Sequence, residues 1–118
     1  MTLPRVQFDT FATLLSGGLQ SWYISNAQGK ASMRALDSKI VYIESLEINT
    51  PNRGHGTRFL EALEKRARRE GFTWVTLQVG SYEEFQRPNR KLLRWYLKRG
   101  YLAVPQTKGW LRSKKLKT

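Results

Sequence analysis

The sequence predicts a small α/β domain, on three observations. Segments with strand and helix patterning alternate between about residues 39 and 104, which favours a sheet with helices laid against it and a right-handed crossover wherever neighbouring strands run parallel. The chain is 118 residues long, the size of one domain with a single core, so residues 1–118 read as one unit. Its residues are 40% hydrophobic and 12% aromatic, the composition of a chain that folds rather than of a disordered one.

The elements follow in order. Residues 8–15 are weakly amphipathic and stop at Gly17-Gly18. Residues 20–25 alternate Trp22 and Ile24 with Tyr23, a strand period, and Asn26-Ala27-Gln28-Gly29 has the composition of a turn. Residues 31–36 read as a second strand, ended by Asp37-Ser38. Residues 39–49 are dense in β-branched and aromatic side chains and form a central strand that stops at Thr50-Pro51-Asn52. Over residues 56–70, Phe59, Leu60, Leu63 and Ala67 recur at helical spacing, while Arg58, Glu61, Glu64, Lys65, Arg68 and Arg69 fill the remaining, solvent-facing side. Gly71 supplies the stop. Residues 73–79 are another strand, followed by a polar loop over residues 80–88. Asn89 is placed to cap a helix in which Leu92, Leu93, Tyr96 and Leu97 share a face and which Gly100 closes. A strand resumes at residues 101–104, Trp110 and Leu111 add an edge strand, and residues 113–118 read as a solvated basic tail.

Charge narrows the partners. Lys and Arg number 21 against 9 Asp and Glu, a net charge of +12, which calls for a polyanion: nucleic acid, an acidic protein surface or a phosphate-bearing cofactor. The chain has no Cys, excluding a disulfide framework, a thiolate nucleophile and a cysteine-ligated metal. His55 is the one histidine, which argues against a multi-His metal site or a His–Asp pair. No apolar run approaches the roughly 20 residues that span a bilayer, and the N-terminus has no basic start followed by an apolar stretch. The reading is a cytoplasmic protein without a membrane partner.

Pro51-Asn52-Arg53-Gly54-His55-Gly56-Thr57-Arg58 lies where the central strand hands over to the first strong helix. Glycines admit positive φ and close approach to the backbone, and the first N–H groups of a helix have no internal acceptors. Such a turn suits an anion, the helix dipole adding roughly 0.3–1 kcal/mol and Arg53 and Arg58 adding charge-assisted hydrogen bonds. The plainer alternative is that Gly54 and Gly56 only make a tight connection. A dinucleotide fingerprint would need a third glycine and an acidic residue about 20 positions later, and a Walker loop would need Lys-Ser/Thr, so both fall.

Here the sequence resembles the GNAT superfamily of acetyl-CoA-dependent N-acyltransferases. Their cofactor loop, Arg/Gln-x-x-Gly-x-Gly/Ala, joins a strand to a long helix, where this chain has Arg53-Gly54-His55-Gly56-Thr57-Arg58. With Arg53 first, Gly56 matches and Arg58 stands at the last position; with Gly54-His55-Gly56 as Gly-x-Gly, Pro51 stands at the first. Members also often carry Asn-x6-Tyr-x3-Gly-Phe across their last helix and strand, and Asn89, Tyr96, Gly100 and Tyr101 stand at those intervals, with Tyr in place of the final Phe. The resemblance covers residues 39–104. It implies a single-layer, mixed but mostly antiparallel sheet with splayed central strands flanked by helices, and an abbreviated N-terminal region like that of compact bacteriophage acetyltransferases.

The same resemblance implies coenzyme A binding, with the pantetheine arm paired to backbone around Leu46 to Ile48 and the phosphates on Arg53, Gly54, His55, Gly56, Thr57 and Arg58. Asn89 either hydrogen-bonds the pantetheine or caps its helix, and Arg87, Arg90 and Lys91 are placed to neutralise the 3′-phosphate. Tyr96 matches the family's acid for the departing thiolate. For the base, strict alternation puts Glu44 on the face of Tyr42, Leu46 and Ile48, in partly desolvated surroundings, and Glu47 on the face of Val41 and Ile43. Glu44 is favoured, with solvent as the alternative. The function expected is acetyl transfer from acetyl-CoA to an amine, a protein lysine or N-terminus on an acidic or nucleic-acid-associated acceptor, by a monomer or homodimer in a bacterial or phage-infected cell. The competing reading is a binding module that grips nucleic acid or an acidic protein through Lys65, Arg66, Arg68, Arg69, Arg94, Lys98, Arg99 and the Lys114-Lys115-Leu116-Lys117 tail, with base stacking on Trp22, Trp74, Trp95 and Trp110.

Overall fold

The computed structural model describes residues 9–10, 20–49, 54–79, 90–105 and 111–117. Its strands are β1 (Asp9–Thr10), β2 (Ser21–Asn26), β3 (Gly29–Ala35), β4 (Ile40–Ile48), β5 (Trp74–Gln78), β6 (Leu102–Ala103) and β7 (Leu111–Lys115). Helix α1 (His55–Arg69) links β4 to β5, and α2 (Arg90–Lys98) lies between β5 and β6. The strands form one sheet in the order β1-β2-β3-β4-β5-β7-β6. Among the described pairs only β4 and β5 run parallel, so the sheet is mixed and mostly antiparallel, as the family resemblance implies.

Period-two alternation places Trp22, Ile24, Ala31, Met33, Val41, Ile43, Val75 and Leu77 in the core. Phe59, Leu60, Leu63 and Ala67 of α1 are buried with them. At about 1.5–3 kcal/mol for each large side chain fully buried, this contact dominates the docking of α1. Turn chemistry sets the strand starts: Gln28 N–H donates to Asn26 Oδ1 at 2.9 Å, and the N–H groups of Lys39 and Ile40 donate to Asp37 Oδ1 at 2.7 and 2.8 Å. The other sheet face is polar, with Ser32 and Ser45 hydroxyls 2.8 Å apart and the Arg34 guanidinium 5.6 Å from the Tyr42 ring centre.

Strict alternation fails at one point in β4. Ser32 pairs with Ser45 but Met33 pairs with Ile43, so Glu44 is an extra residue, a bulge in the ladder. Beyond it every side chain changes face. Leu46 and Ile48 pack against the core rather than lying with Tyr42, and Glu47 moves to the polar face. Glu44 and Glu47 therefore do not point to opposite faces: Glu44 pairs with Arg34 at 3.6 Å and Glu47 with Lys30 at 3.4 Å, two cations that share one face of β3. Glu44 is exposed, not desolvated.

The C-terminal segment also departs from expectation. Residues 111–115 are an internal strand between β5 and β6, not an edge, and Leu116 is buried rather than part of a solvated tail. The physical reason lies in α1. Glu64, expected at the surface, is only 5% exposed, and its carboxylate accepts hydrogen bonds from Lys114 Nζ and the Tyr101 hydroxyl, both at 2.8 Å. Lys114 stands beside Val75 in register and so points toward the core, where Glu64 neutralises it. Tyr101, which replaces the Phe of the family pattern, supplies a donor that Phe lacks.

Removing one member strands the buried carboxylate. Tyr101→Phe and Lys114→Met are each expected to lower stability by about 1–3 kcal/mol in urea denaturation, whereas the triple variant Glu64→Leu/Tyr101→Phe/Lys114→Met, which leaves no polar group of the cluster unpaired, should recover most of that loss.

Candidate active site

Parallel pairing of β4 with β5 covers only Ile40 to Ile43 against Trp74 to Leu77. β4 then continues for five more residues, 44–48, bonded to β3 on one side and, among the described residues, to no strand on the other. The bulge at Glu44 sits where that pairing stops. β5 ends one residue later, at Gln78, so the outward N–H and C=O groups of residues 44–48 meet no described strand and can accept an extended ligand as an added strand.

At the end of β4 the chain enters α1. Gly54 is its N-cap, at φ 76° and ψ 4°, and makes no side-chain cap bond; the first turn contains no acidic residue. The first helical bond runs from Arg58 N–H to the Gly54 carbonyl at 3.2 Å, so the N–H groups of His55, Gly56 and Thr57 lie in the uncapped first turn. A positive helix end left without the usual Ser, Thr or Asp cap suits an external anion. His55 strengthens that fit, because its Nδ1 is buried without a hydrogen-bond partner among the described residues. Gly56 has a packing role as well: a Cβ there would stand 3.3 Å from Trp95 Cζ2 and 3.7 Å from Ile48 Cγ1. Glycine thus lets α1, α2 and the end of β4 converge.

Helix α2 carries Tyr96 into this convergence. Its ring meets Trp95 edge-on at 4.9 Å and Tyr101 at 5.7 Å. Burial pushes the Tyr96 hydroxyl up to about 12 and raises that of Tyr101 further, with the Glu64 charge and hydrogen bond adding to the rise at Tyr101. Tyr96 therefore holds its proton throughout the neutral range.

Of the site residues read from sequence, Gly54, His55, Gly56 and Thr57 lie together at the start of α1, Ile48 meets Gly56 beside Trp95, Leu46 packs on the core, and Tyr96 packs on the Trp95 and Tyr101 rings, while Arg58 is exposed on the first turn of α1. Glu44 follows the last β4 residue paired with β5, and its carboxylate lies on Arg34. Arg53, Arg87 and Asn89 fall outside the described residues. Among the cations assigned to polyanion binding, Arg66 pairs with Glu70 at 3.0 Å, Lys114 with Glu64, and Arg99 bonds within the fold. Trp22 is buried and Trp95 lies under Arg99, so neither offers a free stacking face, while Trp110 lies outside the described residues. Sequence reasoning missed Glu64, Trp95 and Arg99. For Glu64 a signal existed: it falls four residues after Leu60 and three before Ala67, inside the apolar stripe.

No protein-family model matches the chain, and no curated protein does. Solved structures do. The chain is similar to the anti-CRISPR protein AcrVA5, with a TM-score of 0.66 at 19% identity over 79% of this chain and 96% of that one. A GNAT family acetyltransferase from Elizabethkingia anophelis, solved with acetyl-CoA bound, matches with a TM-score of 0.64 at 14% identity over 83% and 76% of the two chains. Tetrahymena GCN5 matches at 0.60 and 15% identity, over 84% and 69%.

The buried tyrosines make stability depend on alkaline pH. Each has a folded-state value above that of the unfolded chain, so the folded state retains protons that the unfolded state has lost above pH 10, and stability must fall as pH rises from there. The expected loss is on the order of 1 kcal/mol per pH unit for each tyrosine, and Tyr96→Phe should flatten the slope in a series of melts from pH 8 to 11.5. By its likeness to these solved structures, over 79–84% of its length, the chain has the GNAT fold.

Proposed function

We propose that this protein is an acetyl-CoA-dependent N-acetyltransferase that moves the acetyl group to an amine by direct attack on the thioester. The observation that carries this reading is the outer edge of β4, unpaired by any described strand beyond Ile43, meeting the uncapped start of α1 where Ile48 lies against Gly56. In support, a similar fold was solved with acetyl-CoA bound. The thioester, when bound, supplies an activated acyl group; this chain supplies the means to hold it.

The free edge of Leu46 to Ile48 suits the amide-bearing pantetheine arm, and the N–H groups of His55, Gly56 and Thr57, with Arg58 on the same turn, suit the diphosphate. An incoming neutral amine forms the new C–N bond as the C–S bond breaks. The Tyr96 hydroxyl gives its proton to the leaving sulfur; burial keeps it protonated but also makes it a weaker acid, so its contribution is a modest one added to an already good leaving group. The amine's surplus proton passes to Glu44 through solvent, since Glu44 immediately follows the last β4 residue paired with β5. A cytoplasmic protein acceptor, through a lysine or its N-terminus, fits the chain's excess positive charge when it is acidic or bound to nucleic acid.

One observation favours a second reading, a nucleic-acid or acidic-protein binding module. Arg90, Lys91, Arg94 and Lys98 are all exposed on α2 and, among the described residues, none forms an ion pair. The two readings separate by thermal melting. With acetyl-CoA at 100 times its Kd the enzyme reading expects about 2.7 kcal/mol of added stability, whereas the module reading expects stabilisation by DNA that fades steeply as salt rises.

Two variants test the chemistry. Gly56→Glu, which sets a carboxylate in the anion site, is expected to abolish coenzyme A binding in calorimetry. Tyr96→Phe should retain that binding and slow thiol release at least about tenfold in a free-thiol assay. Thiol release by Tyr96→Phe at the wild-type rate would remove Tyr96 from the mechanism.

A further inference from the structure

Arg99 is spent inside the fold in an unusual way. Its Nη2 donates to Thr57 Oγ1 at 2.6 Å and its Nη1 donates to the Trp95 carbonyl at 2.9 Å. The guanidinium carbon lies 3.8 Å from the Trp95 ring centre, a stacked cation–π contact, and Nε is buried without a hydrogen-bond partner among the described residues. One side chain at the end of α2 thus reaches the first turn of α1, 42 residues away in sequence. No acidic residue neutralises it among the described ion pairs. Trp95, held under it, is the residue that closes on Gly56.

A guanidinium only donates, so the Thr57 oxygen is the acceptor in that bond. The hydroxyl's own hydrogen is then left to seek another acceptor, and a charged donor on the oxygen makes that hydrogen a stronger donor. Thr57 lies on the same turn as the N–H groups of His55 and Gly56, which receive no side-chain cap from Gly54.

We propose that Arg99 is a positioning residue for coenzyme A: acting through Thr57, it turns the hydroxyl hydrogen outward to the diphosphate and clamps α2 to the turn that binds it. The inference rests on the acetyltransferase reading. It adds an element that neither the loop motif nor the Asn-x6-Tyr-x3-Gly spacing contains. Arg99 itself need not touch the ligand; its fixed charge and its grip on Thr57 and Trp95 set the donors that do.

The test measures binding of coenzyme A and of pantetheine, which has no phosphate, by calorimetry with competition for the weaker ligand. Arg99→Met keeps an unbranched stem over Trp95 but removes the donors, and is expected to weaken coenzyme A about tenfold while leaving pantetheine unchanged. Arg99→Lys, with the charge restored, should recover part of that loss. Thr57→Val should weaken coenzyme A similarly, and the double variant Arg99→Met/Thr57→Val should be no weaker than Thr57→Val alone, because both remove one interaction. Equal coenzyme A affinity in Arg99→Met and wild type overturns the proposal. Parallel loss of pantetheine overturns it as well, since that marks a general packing role. If Arg99→Met does not fold, Thr57→Val alone decides: unchanged coenzyme A affinity overturns the proposal, and a loss confined to coenzyme A supports it. A wild-type chain that binds no coenzyme A instead overturns the acetyltransferase reading and this inference with it.

Discussion

Parallel pairing between β4 and β5 stops after four residue pairs, and what this molecule can do depends on where it stops. β5 ends at Gln78, one residue past its last pair, while β4 runs on for five more residues held, among the described strands, by β3 alone. The bulge at Glu44 falls at that point, and the ladder to β3 resumes one residue out of phase. The end of β4 then meets the start of α1, where Ile48 lies against Gly56. Leu46 and Ile48 are turned to the core by the same shift, which anchors this part of β4.

The second constraint is electrostatic. A carboxylate as buried as that of Glu64 survives because Lys114 and Tyr101 meet it from two elements. This links α1 to β7 across the core and sets the Tyr101 ring, on whose edge Tyr96 packs. On the other flank Arg99 fixes Trp95, which Tyr96 also meets edge-on. The proposed acid is thus held between two aromatic rings, each immobilised by a charged side chain.

Much of the fold was legible from local pattern. The alternation of Trp22 and Ile24, the β-branched run through β4 and the Phe59-Leu60-Leu63-Ala67 stripe each reflect burial against one neighbour, which period alone reports. The strand and helix edges at Asp37, Gly54 and Gly100 follow from turn and cap chemistry. What stayed hidden depends on residues far apart in sequence. A bulge leaves no composition signal, so Glu44 was placed rightly with Tyr42 but the faces of Leu46, Glu47 and Ile48 beyond it were misassigned. The strand over residues 111–115 is written in Leu, Arg, Ser and Lys, and reads as a tail until a buried Glu64 in another element accounts for its lysine. Arg99 likewise looks like one more surface cation until its bond to Thr57 is seen. The loop glycines were legible, and their partner Trp95 was not.

The proposed activity depends on the backbone N–H groups that open α1 receiving the diphosphate of coenzyme A. Amide chemical shifts followed through a coenzyme A titration report on those groups one by one. The largest saturable shifts should fall on His55, Gly56 and Thr57, with smaller ones along Leu46 to Ile48. Saturable shifts centred elsewhere, leaving those three amides unmoved, would contradict it.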